Sequence, residues 1–118
     1  MAQLLIVDDE PDVREFACNF FKKRKVDVAT ASGGNEAIAF IKQQKPQLIL
    51  LDIRMEDMNG LDVLEEIKKI DSSIKVIMVT GVDEEESMQR AKKLGALNYV
   101  HKPLVLDELE EVVLRELS

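Results

Sequence analysis

Short apolar runs alternate with longer amphipathic stretches from one end of the sequence to the other. Two of these runs, residues 4–7 and 48–51, contain only Leu, Ile and Val, which is typical of strands buried on both faces of a parallel sheet. The pattern predicts five strands, at residues 4–7, 27–31, 47–51, 75–79 and 98–101.

The stretches between the strands have the spacing of amphipathic helices. In the first, Val13, Phe16, Ala17 and Phe20 recur at i, i+3, i+4 and i+7, which predicts one buried stripe. Helices are predicted to begin near residue 11, at about 35, near 60, after the capping residue Asp83 and near 107. Five repeats of strand and helix, with Gly95 as the stop of the fourth helix, predict an α/β protein with an open parallel sheet.

Composition and charge narrow the functional classes. The 118 residues suit one domain, and the formal net charge of -7 argues against direct binding to nucleic acids or to anionic membranes. Cys18 is the single cysteine, so no intramolecular disulfide is possible, and we interpret it as a small helix residue. No apolar run approaches the roughly 18 residues of a membrane span, and no signal peptide is visible, so we expect a cytoplasmic chain.

Five polar residues stand at the ends of the predicted strands. Asp8 and Asp9 follow the first strand, Asp52 the third, Thr80 the fourth and Lys102 the fifth. Because the carboxyl ends of parallel strands form the ligand crevice of an open sheet, we expect these side chains to meet at one edge. The sequence therefore predicts a site with three carboxylates, a hydroxyl and an ammonium.

This residue set favours metal-assisted phosphoryl chemistry. Three ionised carboxylates need a cation, and oxygen ligands of this type suit Mg²⁺. We expect Asp9 and Asp52 to bind the ion directly, Asp8 to hold a metal-bound water, and the backbone carbonyl of Arg54 to supply a further ligand. Lys102 and Thr80 beside the metal suit a phosphoryl group.

Motifs along the whole chain resemble the receiver domain of two-component response regulators. The segments that carry the resemblance keep the order and spacing of that family over essentially residues 1–118. They are Val7-Asp8-Asp9-Glu10, Leu51-Asp52-Ile53-Arg54-Met55, Asn59-Gly60-Leu61, Val79-Thr80-Gly81, Gly95-Ala96 and Tyr99-Val100-His101-Lys102-Pro103.

The resemblance implies a fold and a role for each site residue. The fold is a doubly wound, flavodoxin-like three-layer α/β/α sandwich with a five-stranded parallel sheet in the order 2-1-3-4-5. Asp52 would be the phosphoryl acceptor, Asp8 and Asp9 would belong to the Mg²⁺ site, and Lys102 would pair with the phosphoryl oxygens. Thr80 and Tyr99 would be the switch residues, and the Lys102–Pro103 peptide bond would be cis.

The function implied is that of a phosphorelay switch, which is not an enzyme acting on a separate substrate. A sensor histidine kinase or a histidine phosphotransfer protein would phosphorylate Asp52, and the surface of helix four, strand five and helix five would change. The output would go to a separate protein or to an effector domain cut from this chain, and a phosphorylation-dependent homodimer is a further expectation.

Two other classes share part of this residue set. A haloacid-dehalogenase-like phosphatase also uses an aspartyl phosphate, but it carries Asp-x-Asp after its first strand and usually has a cap domain. A constitutive, receiver-like interaction module that is never phosphorylated is the main alternative.

Three positions depart from the family pattern. Glu56 stands where the loop after Asp52 often has a proline, so a more mobile loop is expected. Lys25 stands where a glycine often precedes the second strand. The Arg54 side chain would either shield the acyl phosphate from water or pair with it, and the sequence leaves both open.

Overall fold

The computed structural model describes residues 2–81, 85–102 and 104–117, and it contains one five-stranded parallel sheet in the order β2-β1-β3-β4-β5. The sheet order and the doubly wound α/β class are therefore confirmed. The strands are β1 (Leu4–Val7), β2 (Val28–Ala31), β3 (Leu48–Asp52), β4 (Lys75–Thr80) and β5 (Asn98–His101).

Five helices cover the two faces of this sheet. Their apolar residues fall into two buried clusters, because neighbouring strand residues such as Leu4 and Leu5 point to opposite faces. Helices α2, α3 and α4 contribute to one cluster, and α1 and α5 to the other. The helices are α1 (Pro11–Lys22), α2 (Gly34–Gln43), α3 (Gly60–Ile70), α4 (Glu85–Lys93) and α5 (Leu106–Leu117).

Two strands extend one residue beyond their apolar runs. Asp52 is the last residue of β3 and pairs with Val79, and Thr80 is the last residue of β4 and pairs with His101. These polar residues remain paired with the neighbouring strand, so both strands extend to the edge of the sheet where the site lies. The predicted helix cap Asp83 lies outside the described residues.

The buried stripe of α1 differs from the predicted one. The buried residues are Ala17, Cys18 and Phe21, whereas Phe16 is 56% exposed. Phe20 is half-buried, and its ring packs edge to face against Phe21. The guanidinium carbon of Arg24 lies 3.6 Å from the centroid of the Phe20 ring. The helix is therefore rotated so that Ala17, Cys18 and Phe21 face the sheet, and Cys18 lies in a helix as the sequence predicts.

The turn between α1 and β2 places Lys25 in the left-handed region, with φ 64°. An L-residue pays about 1–2 kcal/mol in that region, whereas glycine does not. We expect Lys25→Gly to raise the free energy of unfolding by about 1 kcal/mol, since the greater freedom of glycine in the unfolded chain offsets part of the gain. Urea unfolding of the parent, Lys25→Gly and Lys25→Ala measures this. Equal stability of the glycine and alanine variants would contradict the assignment of strain.

Candidate functional site

The carboxyl edge of the sheet brings two aspartates together. Val7 pairs with Leu51 in the β1–β3 ladder, so Asp8 and Asp52 come next to each other on adjacent strands. Both are nearly inaccessible to solvent, each 3% exposed. The N–H of Asp8 donates to the carbonyl of Ala31, which fixes the start of the β1–α1 loop at this edge.

Lys102 joins the two aspartates from the end of β5. Its Nζ lies 3.1 Å from Oδ2 of Asp52 and 3.2 Å from Oδ2 of Asp8. A third carboxylate, that of Glu10, lies 2.9 Å from the same Nζ. The backbone N–H of Lys102 donates to the carbonyl of Thr80 at 2.7 Å, which places the lysine over the end of β4.

Burial and neighbouring charge change the acidity of both partners. Burial, together with the negative charge of Asp8, raises the pKa of Asp52 to about 6, although Lys102 and a hydrogen bond from the N–H of Arg54 oppose the change. Burial alone would lower the pKa of Lys102, but its bonds to Glu10 and Asp52 and the charge of Asp8 raise it. The lysine is thus a fixed cation, and the site holds an excess of carboxylates.

Three carboxylates in this site are close enough to share a cation. Oxygens of Asp8, Glu10 and Asp52 lie within 4.8 Å of one another in the described part of the chain. Glu10 takes the place in this cluster that we expected for Asp9, whose Oδ2 instead accepts the N–H of Glu56 at 3.1 Å. Glu10 is the N-cap residue of α1, and its exposed side chain reaches Lys102, a contact that sequence spacing alone does not reveal.

The remaining predicted residues lie on β4, on β5 and in the loop after β3. Thr80 is buried at the end of β4, and Tyr99 is half-buried on β5, where it packs against the core and meets His101 edge to face at 5.7 Å between ring centroids. The Arg54 side chain is exposed, and its backbone N–H points to Asp52. Pro103 lies outside the described residues, so the predicted cis peptide bond is not described.

The sequence matches a known family. The model of the response regulator receiver domain fits residues 4–114, which is nearly the whole chain. The chain belongs to the response regulator receiver domain family. Receiver domains act as signalling switches in two-component systems.

Related proteins support the assignment of this receiver domain. Sporulation initiation phosphotransferase F of Bacillus subtilis is 34% identical over 94% of this chain and 90% of its own length. The regulatory protein AtoC of Escherichia coli is 36% identical over 98% of this chain, but the match spans only 25% of that longer protein. Relatives therefore include both a short protein and longer regulators.

Solved structures agree with the fold of this receiver domain. A CheY-like receiver domain protein from Methanospirillum hungatei superposes with a TM-score of 0.95 at 30% identity and covers 99% of this chain and 94% of the other. The receiver domain of NtrX from Brucella abortus superposes with a TM-score of 0.90 at 33% identity, and the match covers 97% of both chains.

Among the described residues of this chain, no helix has the length and apolar content needed to cross a membrane.

Proposed function

We propose that Asp52 is the phosphoryl acceptor of a two-component phosphorelay, within a receiver domain that spans residues 1–118. The observation that carries this proposal is the position of the Asp52 carboxylate, which is buried at the sheet edge with the ammonium of Lys102 at 3.1 Å. A carboxylate in this position is a nucleophile beside a fixed cation that can offset charge on a transferring group.

In the proposed step, an oxygen of Asp52 attacks the phosphorus of a phosphohistidine on a histidine kinase or a phosphotransfer protein. An oxygen–phosphorus bond forms, the phosphorus–nitrogen bond breaks, and the imidazole leaves and takes a proton from solvent. Lys102 moves its ammonium from the carboxylates of Asp8 and Glu10 toward the phosphoryl oxygens. No general base is needed, because the ionised carboxylate is already the nucleophile.

The acidic cluster fits a divalent cation, for which we propose Mg²⁺. Lys102 supplies one positive charge to the three carboxylates of Asp8, Glu10 and Asp52, and oxygen donors are the ligands that Mg²⁺ prefers. We propose that Asp8, Asp9 and Asp52 hold the ion with the carbonyl of Arg54, and that Glu10 is a further acidic neighbour. When bound, the ion would offset negative charge on the transferring group.

Thr80 and Tyr99 are proposed to carry the signal away from Asp52. The hydroxyl of Thr80 would donate to the phosphoryl group and Tyr99 would move inward, which changes the surface of α4, β5 and α5. A shift from mostly off to mostly on needs about 3–5 kcal/mol of differential stabilisation. Charge-assisted bonds from Thr80 and Lys102, at about 1.5–3 kcal/mol each, are sufficient for that shift.

An exposed apolar surface beside the site is proposed to receive the phosphodonor. Phe16 and Val13 of α1 line a shallow cavity with Leu104, and Lys102 and Glu10 form its polar side. A partner seated there would bring its phosphohistidine to the edge of the sheet. We propose that the domain acts in the cytoplasm. Its output would go to a separate protein, to an attached effector domain or to a homodimer that forms on phosphorylation.

Phosphorylation of defined variants tests the proposal. With acetyl phosphate and Mg²⁺, we expect the parent chain to gain one phosphate by intact mass, and Asp52→Asn to gain none. Asp62→Asn, which removes an exposed carboxylate on α3, is the matched control and should react like the parent. Undiminished labelling of Asp52→Asn would remove Asp52 from its role, and a folded parent that is never labelled would favour the constitutive interaction module.

A further inference from the structure

The loop between β3 and α3 supplies two backbone N–H groups to the site. The N–H of Arg54 hydrogen-bonds the carboxylate of Asp52, and the N–H of Glu56 donates to Oδ2 of Asp9 at 3.1 Å. A proline at position 56 has no N–H and could not make the second bond. In this chain the loop therefore contacts two of the carboxylates to which the proposed function gives a role.

The same loop is tied on its other side to the beginning of α2. Asp57 accepts the N–H of Gly34 at 3.0 Å with one carboxylate oxygen and the N–H of Asn35 at 2.9 Å with the other. These hydrogen bonds lower the pKa of Asp57, and the bond from Asn35 has the largest effect. They satisfy two of the N–H groups that a helix start leaves without a partner, across 22 or 23 residues of sequence.

Gly33 allows this contact. A methyl group at Gly33 would lie 2.7 Å from Oδ1 and 2.9 Å from Cγ of Asp57, and the nearest atoms it would meet all belong to that carboxylate. The backbone of Gly33 is extended, a conformation that any residue adopts. An alanine there would therefore act by displacing Asp57, which makes this position a second way to break the same contact.

We propose that Asp57 is a positioning residue that binds the N-terminus of α2 and thereby holds the β3–α3 loop so that the N–H groups of Arg54 and Glu56 orient Asp52 and Asp9. The proposal rests on the proposed function, since orientation of these carboxylates matters only if they bind a cation and a phosphoryl group. Asp57 itself would bind neither the cation nor the phosphoryl group. Its effect passes through the loop to groups that surround the acidic cluster, as partners of metal ligands do in other sites.

Comparison of Asp57→Ala with Glu56→Gln separates positioning from charge. Both remove one negative charge from adjacent loop residues, but Glu56→Gln keeps the backbone N–H and the anchor at α2. We expect Asp57→Ala to weaken Mg²⁺ binding about fivefold to tenfold by calorimetric titration, and Glu56→Gln to weaken it about twofold or less. In the metal-free protein, hydrogen exchange at the amides of Arg54 and Glu56 should quicken about tenfold in Asp57→Ala only.

A double-mutant cycle with Gly33 gives an independent test. Gly33→Ala should reproduce the loss of Mg²⁺ affinity seen in Asp57→Ala, and adding Gly33→Ala to Asp57→Ala should cause no further loss. Such non-additivity is expected when two changes break one contact. Additive losses would overturn the proposal, because they would show that the two positions act separately.

Removal of the N–H itself completes the experiment. Glu56→Pro should weaken Mg²⁺ binding relative to Glu56→Gln, and unchanged or tighter binding would show that the bond to Asp9 does not orient it for the ion. Equal affinity of Asp57→Ala and Glu56→Gln, or unchanged exchange at Arg54 and Glu56, would also overturn the proposal. A parent chain that takes up no Mg²⁺ would instead overturn the proposed metal site, while the exchange data would still decide whether Asp57 holds the loop.

Discussion

Gly60→Ala is expected to lower the free energy of unfolding by about 3 kcal/mol or more. The chain passes so close to Gly60 that an added methyl group would overlap the carbonyl oxygen of Asp52 and lie 2.7 Å from Cα of Ile53. These are backbone atoms that cannot rotate away, and the N–H of Gly60 is bonded to the carbonyl of Ile53 at 2.6 Å. Overpacking usually costs about 1–3 kcal/mol, and a clash with backbone belongs at or above the upper end.

The same substitution at Gly81 provides the matched control. An added methyl group there meets no atom within 4 Å, so Gly81→Ala should change stability by less than about 0.5 kcal/mol. Urea unfolding followed by circular dichroism measures both variants. We also expect Gly60→Ala to displace Asp52, because the clash falls on the backbone of that residue. A Gly60→Ala variant as stable as Gly81→Ala would contradict the close approach.

Asp52→Asn is expected to stabilise the metal-free protein by about 2–3 kcal/mol at pH 8. Folding raises the pKa of Asp52 to about 6, so the folded protein binds a proton more tightly than the unfolded chain. The free energy of unfolding of the parent therefore falls as the pH rises from about 4 to 6 and stays low above that range. The size of the effect follows from a change of about two pKa units, at about 1.4 kcal/mol each.

The pH dependence distinguishes this effect from a general change in packing. Asparagine has nearly the same shape but does not ionise, so the gain of Asp52→Asn over the parent should shrink to about half at pH 5 and to about a fifth at pH 4. Asp62→Asn, whose exposed partner is Arg90, should change stability by less than about 1 kcal/mol at either pH. A gain that grows toward acid pH would contradict the assigned pKa. Unfolding is to be measured with a chelator present.

Much of the fold follows from local patterns in the sequence. The wholly apolar run Leu48–Leu51 predicts a strand buried on both sides, and the strand–helix repeat predicts a parallel sheet, as the structure has it. Asp8, Asp52 and Lys102 come together because each lies at the carboxyl end of a strand, and the carboxyl ends of parallel strands meet at one edge of the sheet. Gly95, with φ 96°, ends α4 as its position after the helix predicts.

Other features depend on tertiary contacts that spacing does not encode. Phe16 fits the period of the α1 stripe, but the rotation of the helix, set by packing of Phe21 against the sheet, leaves Phe16 exposed. In the sequence Glu10 is an ordinary acidic residue at a helix start, and only the structure shows its side chain bound to Lys102. The lack of a proline at position 56 predicts a more mobile loop, but it does not reveal the long-range hydrogen bonds of this loop to Asp9 and, through Asp57, to α2. The signal that could have found the anchor is the Gly33-Gly34 pair, which permits close approach.

The central claim is that the carboxylate of Asp52, and no other group, takes up the phosphoryl group. Borohydride reduces an acyl phosphate to an alcohol and so converts phosphorylated aspartate to homoserine, which peptide mass spectrometry locates along the chain. After treatment with acetyl phosphate and Mg²⁺, we predict homoserine at position 52 alone. Homoserine at position 8 or 9, or a phosphate that survives reduction on a hydroxyl side chain, would contradict the account.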